Sequence, residues 1–391
     1  MVKVSNKQWF SLHGWCALPV WVLFCFICLT GTLAVLSHEI TWLVNPDARA
    51  EPVSDESPMT VTEAITLVQQ KYSSAQVTGA AVREAYLTYT VSFTDEGKPY
   101  ALAYVNPYTG KIQEVNDGNT FINFMRSLHG WLLFPWQQGY SIGYYIVGAM
   151  GFFMLGSLIT GLMVYKKFWR AFTQPTLRFS QGVKTALSDL HKLTGAWSIW
   201  FLLLMSVTGI WYLVQGILWH NEVEIEPWPH ALEVTAIPSV GNQVSGPDNA
   251  VNLHDVLVMA NQEFGGFSPS YVMLPEHNRD SIKVFGHHNS IFYDDSSLSL
   301  AVNPWTGDII NQYSPESMGT LQSLMHLADP LHYGTIGGLW TKLIWFVFGL
   351  LISGMSVTSF MMWRRRLTQA SRLSRENTFD VKGKTPRPEV S

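Results

Sequence analysis

Four Leu-His dipeptides stand close before long apolar runs: Leu12-His13, Leu128-His129, Leu190-His191 and Leu331-His332. Two of them lie in identical SLHGW pentapeptides, at 11–15 and 127–131. A histidine at a membrane-length run is uncommon and usually functional. One such histidine by itself reads as a headgroup or helix-end contact, whereas four at equivalent positions call for a shared chemistry. Neutral imidazole ligates haem iron, and two axial imidazoles leave an electron carrier with no open position for oxygen. Zinc is the weaker alternative, since it draws three or four ligands to one place.

Other histidines compete for the same role. His38 follows His13 by 25 residues and His220 follows His191 by 29, offsets that return to within about 20° of the same helix stripe. His326 is a near neighbour of His332. His254, His277, His287 and His288 fall in a polar segment and read as solvated surface. Gly31 and Gly209 lie 18 residues beyond His13 and His191, five whole turns or about 27 Å along one helix face. A glycine there either makes room for a planar cofactor or lets two helices pack closely.

The elements that must hold these residues are four apolar runs at 15–37, 142–165, 193–217 and 337–363, each near the roughly 20 residues a spanning helix requires. Lys and Arg set their direction. The N-terminus, the 166–192 loop and the 364–391 tail carry 16 of the 25 basic residues. The remaining chain holds 9 basic residues against 25 of the 29 acidic ones. Both termini are therefore expected in the cytoplasm and the segments 38–141 and 218–336 outside it. His13 and His191 then belong to the inner face, and His129 and His332 to the outer one.

The two outer segments are too long and too patterned for simple loops. Each has an amphipathic stretch, TVTEAITLVQQKY or VNLHDVLVMANQEF, followed by strand-like runs: AYLTYTVSF and YALAYV in the first, SIKVFG and LSLAV in the second. Each ends in a matching turn, NPYTGKI or NPWTGDI. The expected architecture is an α-helical membrane protein, four spans in a two-fold pseudo-repeat with two outer α+β modules.

Composition agrees with a membrane protein: charged residues are 14% and tryptophans number 16, where soluble chains carry about 25% charged residues and tryptophan anchors helix ends at membrane interfaces. A net charge of −4 argues against a nucleic-acid partner. Cys16, Cys25 and Cys28 all lie in the first run. Leu29 follows the CxxC pair where covalent haem attachment needs histidine. No Walker motif or HExxH appears, so the P-loop and zinc-hydrolase routes lack support.

The segments DLHKLTGAWSIWF, TGIWYLV, SHEITWLVNP and DPLHYGTIGGLWTKLIWFVFGLLISG, with the paired NPxTG turns, resemble the PepSY-associated transmembrane helix family of bacterial inner-membrane proteins. That family includes iron-regulated membrane proteins and ferric-siderophore reductases. The resemblance implies four helices, two outer PepSY-like modules and two haem b groups held by histidines. At matching positions His13 and His191 would hold the inner haem and His129 and His332 the outer one, with no side chain acting as acid, base or nucleophile. Partners would be a ferric siderophore or related Fe(III) complex, membrane lipid and an electron donor not named by the sequence. A membrane-anchored PepSY-type binding protein and a permease component are the alternatives. In span four VTSFMMW departs from the Thr-Gly pair common in the family.

Overall fold

The computed structural model describes residues 4–51, 57–228, 251–277 and 279–383, with side chains through Ser371. Lys3, Lys384 and Arg387 of the basic segments, and residues 229–250 of the second outer segment, lie outside the described residues. In chain order the first half contains α1 (Asn6–Ala17), α2 (Trp21–Val35), α3 (Ser37–Val44), α4 (Val61–Lys71), β1 (Gln76–Ala81), β2 (Tyr89–Asp95), β3 (Lys98–Val105), β4 (Ile112–Asn116), α5 (Phe121–Trp131) and α6 (Ile142–Val164). The second half contains α7 (Phe168–Thr173), α8 (Val183–Trp197), α9 (Ile199–His220), α10 (Leu253–Phe264), β5 (Ser268–Met273), β6 (Ile282–His287), β7 (Leu298–Val302), β8 (Ile309–Tyr313), α11 (Thr320–Tyr333) and α12 (Gly338–Gly383). Two compact units result, one of residues 1–32, 145–213 and 346–391, the other of 33–144 and 214–345.

Among the described residues three helices are long and apolar enough to cross a membrane: α6, α9 and the stretch Thr335–Ser371. The pair α1 and α2 makes a fourth only if taken as one span, because it bends by 62°. Pro19 sits in the break, just after Leu18, which is still helical (φ −69°, ψ −38°); Pro19 has no N–H with which to continue the helix ladder. The bend overturns the straight-helix phase drawn from His13 to Gly31. In the second copy α8 stops at Trp197, Ser198 leaves helical geometry (φ −92°, ψ 7°) and α9 starts at Ile199. The third apolar helix is thus Ile199–His220, and the opening residues of the expected 193–217 run belong to α8.

Small residues set the helix contacts in the first unit. A Cβ on Gly148 would lie 2.8 Å from Leu213 Cβ, and one on Gly151 would lie 2.9 Å from the Ile210 amide nitrogen. Gly209 faces the Cα of Gly151, with 3.7 Å to a built Cβ. These are close backbone approaches of the kind that replace hydrophobic driving force between helices in lipid. Gly209 therefore sits at an α6–α9 crossing.

In the second unit the eight strands form one antiparallel sheet in the order β4-β3-β2-β1-β5-β6-β7-β8. The sequence leads to two separate modules. The structure merges them through β1 and β5, paired at Gly79↔Met273, Ala80↔Val272 and Ala81↔Tyr271. Gly79 permits this join, since a Cβ there would come within 2.6 Å of the Val272 carbonyl oxygen. The helices α4 and α10 share one apolar core, in which Val68, Val91, Phe93, Val256, Val272, Val284 and Leu300 are buried. Pooling both halves gives a deeper core than a four-stranded module could build alone.

The NPxTG motifs close β3–β4 and β7–β8 as Asx turns. Asn106 Oδ1 accepts from the Tyr108 and Thr109 amides, and Asn303 Oδ1 from those of Trp305 and Thr306. Gly110 (φ 69°) and Gly307 (φ 79°) take the left-handed conformation that the turn demands.

Candidate functional site

In the first unit His13 of α1 and His191 of α8 face each other, ring centroids 6.2 Å apart and planes at 73°. Their hydrogen bonds determine which nitrogen is available. His13 Nδ1 lies 3.1 Å from the Ser157 carbonyl oxygen and 3.1 Å from Thr160 Oγ1, both on α6. Thr160 donates its only proton to the Gly156 carbonyl at 2.6 Å, so towards His13 it can only accept. Nδ1 must carry the hydrogen, and the lone pair is left on Nε2. His191 repeats this logic. Its Nδ1 is 3.2 Å from Ser359 Oγ on α12, and Ser359 donates to the Met355 carbonyl at 2.9 Å.

Gly161 makes room beside the first ring, with a built Cβ at 3.4 Å from His13 Cε1. A bidentate pair between Arg178 and buried Asp189, at 2.8 and 2.7 Å, anchors α8 two residues before His191. Its geometry is the strong fork arrangement.

In the second unit His129 of α5 and His332 of α11 form another pair, centroids again 6.2 Å apart and planes at 30°. Burial, and then the neighbouring His129, push His332 down to about 3, so it stays neutral with a lone pair in the physiological range. Glycines seat both helices. Gly143 at the start of α6 lies against the Trp131 carbonyl, where any Cβ would collide. Gly334 (φ 73°) caps α11 and leaves room for the Trp345 ring, 2.7 Å from a built Cβ. Trp345 Nε1 donates to the Leu331 carbonyl at 2.9 Å, holding the residue next to His332.

The rival histidines are engaged elsewhere. His38 Nδ1 meets Glu84 Oε1 at 2.7 Å. His220 packs on the Tyr140 ring at 4.9 Å. His326 is buried, with Nδ1 2.8 Å from Asp294 Oδ1 and Nε2 3.6 Å from Glu226 Oε2. Gly31 is partly buried in α2, and Gly209 has the helix contact described above. Cys16, Cys25 and Cys28 are free thiols. No cluster of three or more His, Cys, Asp or Glu fit for a metal ion occurs among the described residues, so the side chains present do not build a zinc site of the usual ligand number.

The residues absent from the sequence reading are Ser157, Thr160 and Ser359, which orient the first pair. One signal existed: Thr160-Gly161 repeats in the second apolar run the Thr-Gly dipeptide of Thr30-Gly31 and Thr208-Gly209. Also unforeseen is an ion network in which Lys342 Nζ lies 3.0 Å from Glu39 Oε1 and 3.1 Å from Glu84 Oε1. Tyr86 donates to Glu39 Oε1 at 3.1 Å. Burial would raise the Glu84 carboxyl, but His38 and Lys342 together hold it well below the usual carboxylate range.

The His326 contact predicts a pH dependence. Burial opposes its charge, but Asp294 and Glu226 raise it to about 10. A histidine raised in the folded state contributes stability that is complete below its unfolded value of about 6.5 and fades as pH rises through the folded one. Melting temperature should therefore fall across pH 6.5–10 in the native protein. In His326→Gln that slope should flatten, as thermal scans over this range would show.

Two imidazoles on one iron, each with a metal–nitrogen bond of about 2.0–2.1 Å and about 1.2 Å from nitrogen to ring centre, put their centroids about 6.4 Å apart. Both pairs fit this spacing at 6.2 Å, and the first also has its lone pairs on Nε2. Among curated proteins no match to the chain is found. A family profile described as the PepSY-associated TM region matches residues 10–366, and this multi-pass membrane protein, with its apolar helices and eight-stranded sheet, belongs to that family.

Proposed function

We propose that the protein is a di-haem electron-transfer protein that reduces an Fe(III) complex, such as a ferric siderophore, at the extracytoplasmic face of the bacterial inner membrane. The observation that carries this reading is the first histidine pair: two rings at ligand spacing, each with Nδ1–H committed to an oxygen acceptor. Haem b bound between each pair would supply one-electron chemistry with no open iron position. His13, His191, His129 and His332 hold and orient. Ser157, Thr160 and Ser359 keep the first two in the required tautomer.

The topology that suits this function counts α1 and α2 as one bent span, giving four. Both termini lie in the cytoplasm, and the two halves of the eight-stranded sheet are PepSY-like modules on the outer side. Electron gain by the metal releases it because hydroxamate or catecholate oxygens suit Fe(III) far better than Fe(II). The electron donor is a membrane or cytoplasmic reductant of unassigned class.

The test is an absorbance spectrum of the detergent-purified chain, expressed with haem available, before and after dithionite. A Soret band that sharpens, with resolved alpha and beta bands on reduction, is the expected result. A protein that purifies colourless would end the haem reading and leave a membrane-anchored binding role.

A further inference from the structure

We infer that the second unit holds a recognition site for an organic ammonium group, in a cavity that neither histidine pair lines. The cavity is about 240 Å³ and is lined by Trp219, Glu224, Ile225, Glu226, Trp228 and Met325. Its volume is just under the roughly 300–1,000 Å³ of whole-ligand pockets, which suits the charged end of a molecule or a small quaternary amine. Indole faces attract cations most strongly among aromatic rings, and desolvation increases the effect. Two indoles and two carboxylates around one space therefore select a compact, weakly hydrated cation over an anion or a neutral group.

The walls are built in advance. Trp228 is clamped edge-on by Tyr313 and Phe285, with centroids 5.0 and 5.6 Å away. The Pro227 carbonyl before it accepts from Tyr313 Oη at 2.7 Å and Asn311 Nδ2 at 2.9 Å. Glu226 Oε1 accepts from Ser299 at 3.5 Å. Next to Met325, buried His326 directs Nε2 at Glu226 Oε2 across 3.6 Å, and that nitrogen has no hydrogen-bond partner.

Charge completes the case. Lys283 places its ammonium 5.9 Å from the Trp228 centroid; burial lowers it below the usual lysine value, and Asp280 and then Glu224 oppose that shift. That distance is at the outer limit of a cation–π contact. The indole is thus turned towards positive charge but not filled by it. Glu226 and Asp294 lie against His326, and Asp280 and Glu224 act on Lys283, so carboxylates outnumber cationic side chains around the cavity. A monovalent organic cation adds to the smaller side of that balance.

The inference does not depend on haem. Isothermal titration of the detergent-solubilised full chain with choline tests it, beside 3,3-dimethylbutan-1-ol, which has the same shape without charge. Choline should saturate at millimolar or lower concentration, and the alcohol should bind at least about tenfold more weakly. Trp228→Leu and Glu224→Gln should each weaken choline about tenfold. Glu224→Gln keeps the wall packing, so its melting temperature should match the native protein while its affinity falls. Equal binding of the alcohol, unchanged affinity in a folded Glu224→Gln, or no saturation by about 10 mM choline would each overturn the assignment.

Discussion

His191→Ala should purify with about half the haem of the native protein, because it removes one of two axial ligands from one of two pairs. His13→Ala should do the same, and the double variant should lose no more than either alone. Haem per chain, measured by the pyridine haemochrome assay, checks this; native haem content in either single variant would refute the pairing. Ser359→Ala separates orientation from ligation. Loss of the acceptor at 3.2 Å from His191 Nδ1 leaves Nε2 in place but frees the ring and its tautomer. Loss of such a supporting partner typically weakens binding about 10–100-fold. Ser359→Ala should retain haem at high supply, with a shifted reduction potential and faster loss to apomyoglobin. Ser359→Thr should restore both.

The second large effect is expected at Lys342. Its ammonium is 9% exposed and holds two carboxylates from residues 303 and 258 positions away. Each carboxylate also has one buried oxygen, Glu39 Oε2 and Glu84 Oε2, with no hydrogen-bond partner. Lys342→Met therefore leaves two negative charges in a partly dry site. Removing one partner of a buried ion set typically costs about 3–5 kcal/mol, enough to lower the melting temperature by many degrees. Adding Glu39→Gln and Glu84→Gln to Lys342→Met should recover most of the loss, since the unpaired charge is the cause. A Lys342→Met protein that melts like the native one would mean that water already screens the cluster.

Acid should act on the same network. Glu84 is depressed in the folded state, so its contribution is present above the ordinary carboxylate value of about 4.3 and is lost as pH falls from there towards the folded value. This decline should be shallower in Lys342→Met.

Local patterns carried a good part of this protein. Uninterrupted apolar length specifies α6 and α12, because lipid forces a chain to satisfy its backbone within one helix. The NPxTG turns were readable for a similar reason: Asn106, Asn303, Gly110 and Gly307 act on neighbours a few residues away. Recurrence of Leu-His marked the four histidines now seen as two facing pairs. β1 and β5 were not legible, since QVTGAA and SPSYVM lack the alternation of a half-exposed strand. Their role is to close the sheet at its centre, where Gly79 must admit a neighbouring backbone.

Sequence by itself determined the apolar spans, the turn chemistry and which residue types recur, all of which are set by interactions along a short stretch of chain. Only the tertiary structure decided that His13 meets His191 and not His38, that Ser157, Thr160 and Ser359 aim the lone pairs, and that Lys342 closes on Glu39 and Glu84. Those contacts join residues 144 to 303 positions apart. Their energies depend on distance and burial in space, quantities that periodicity along a chain does not encode.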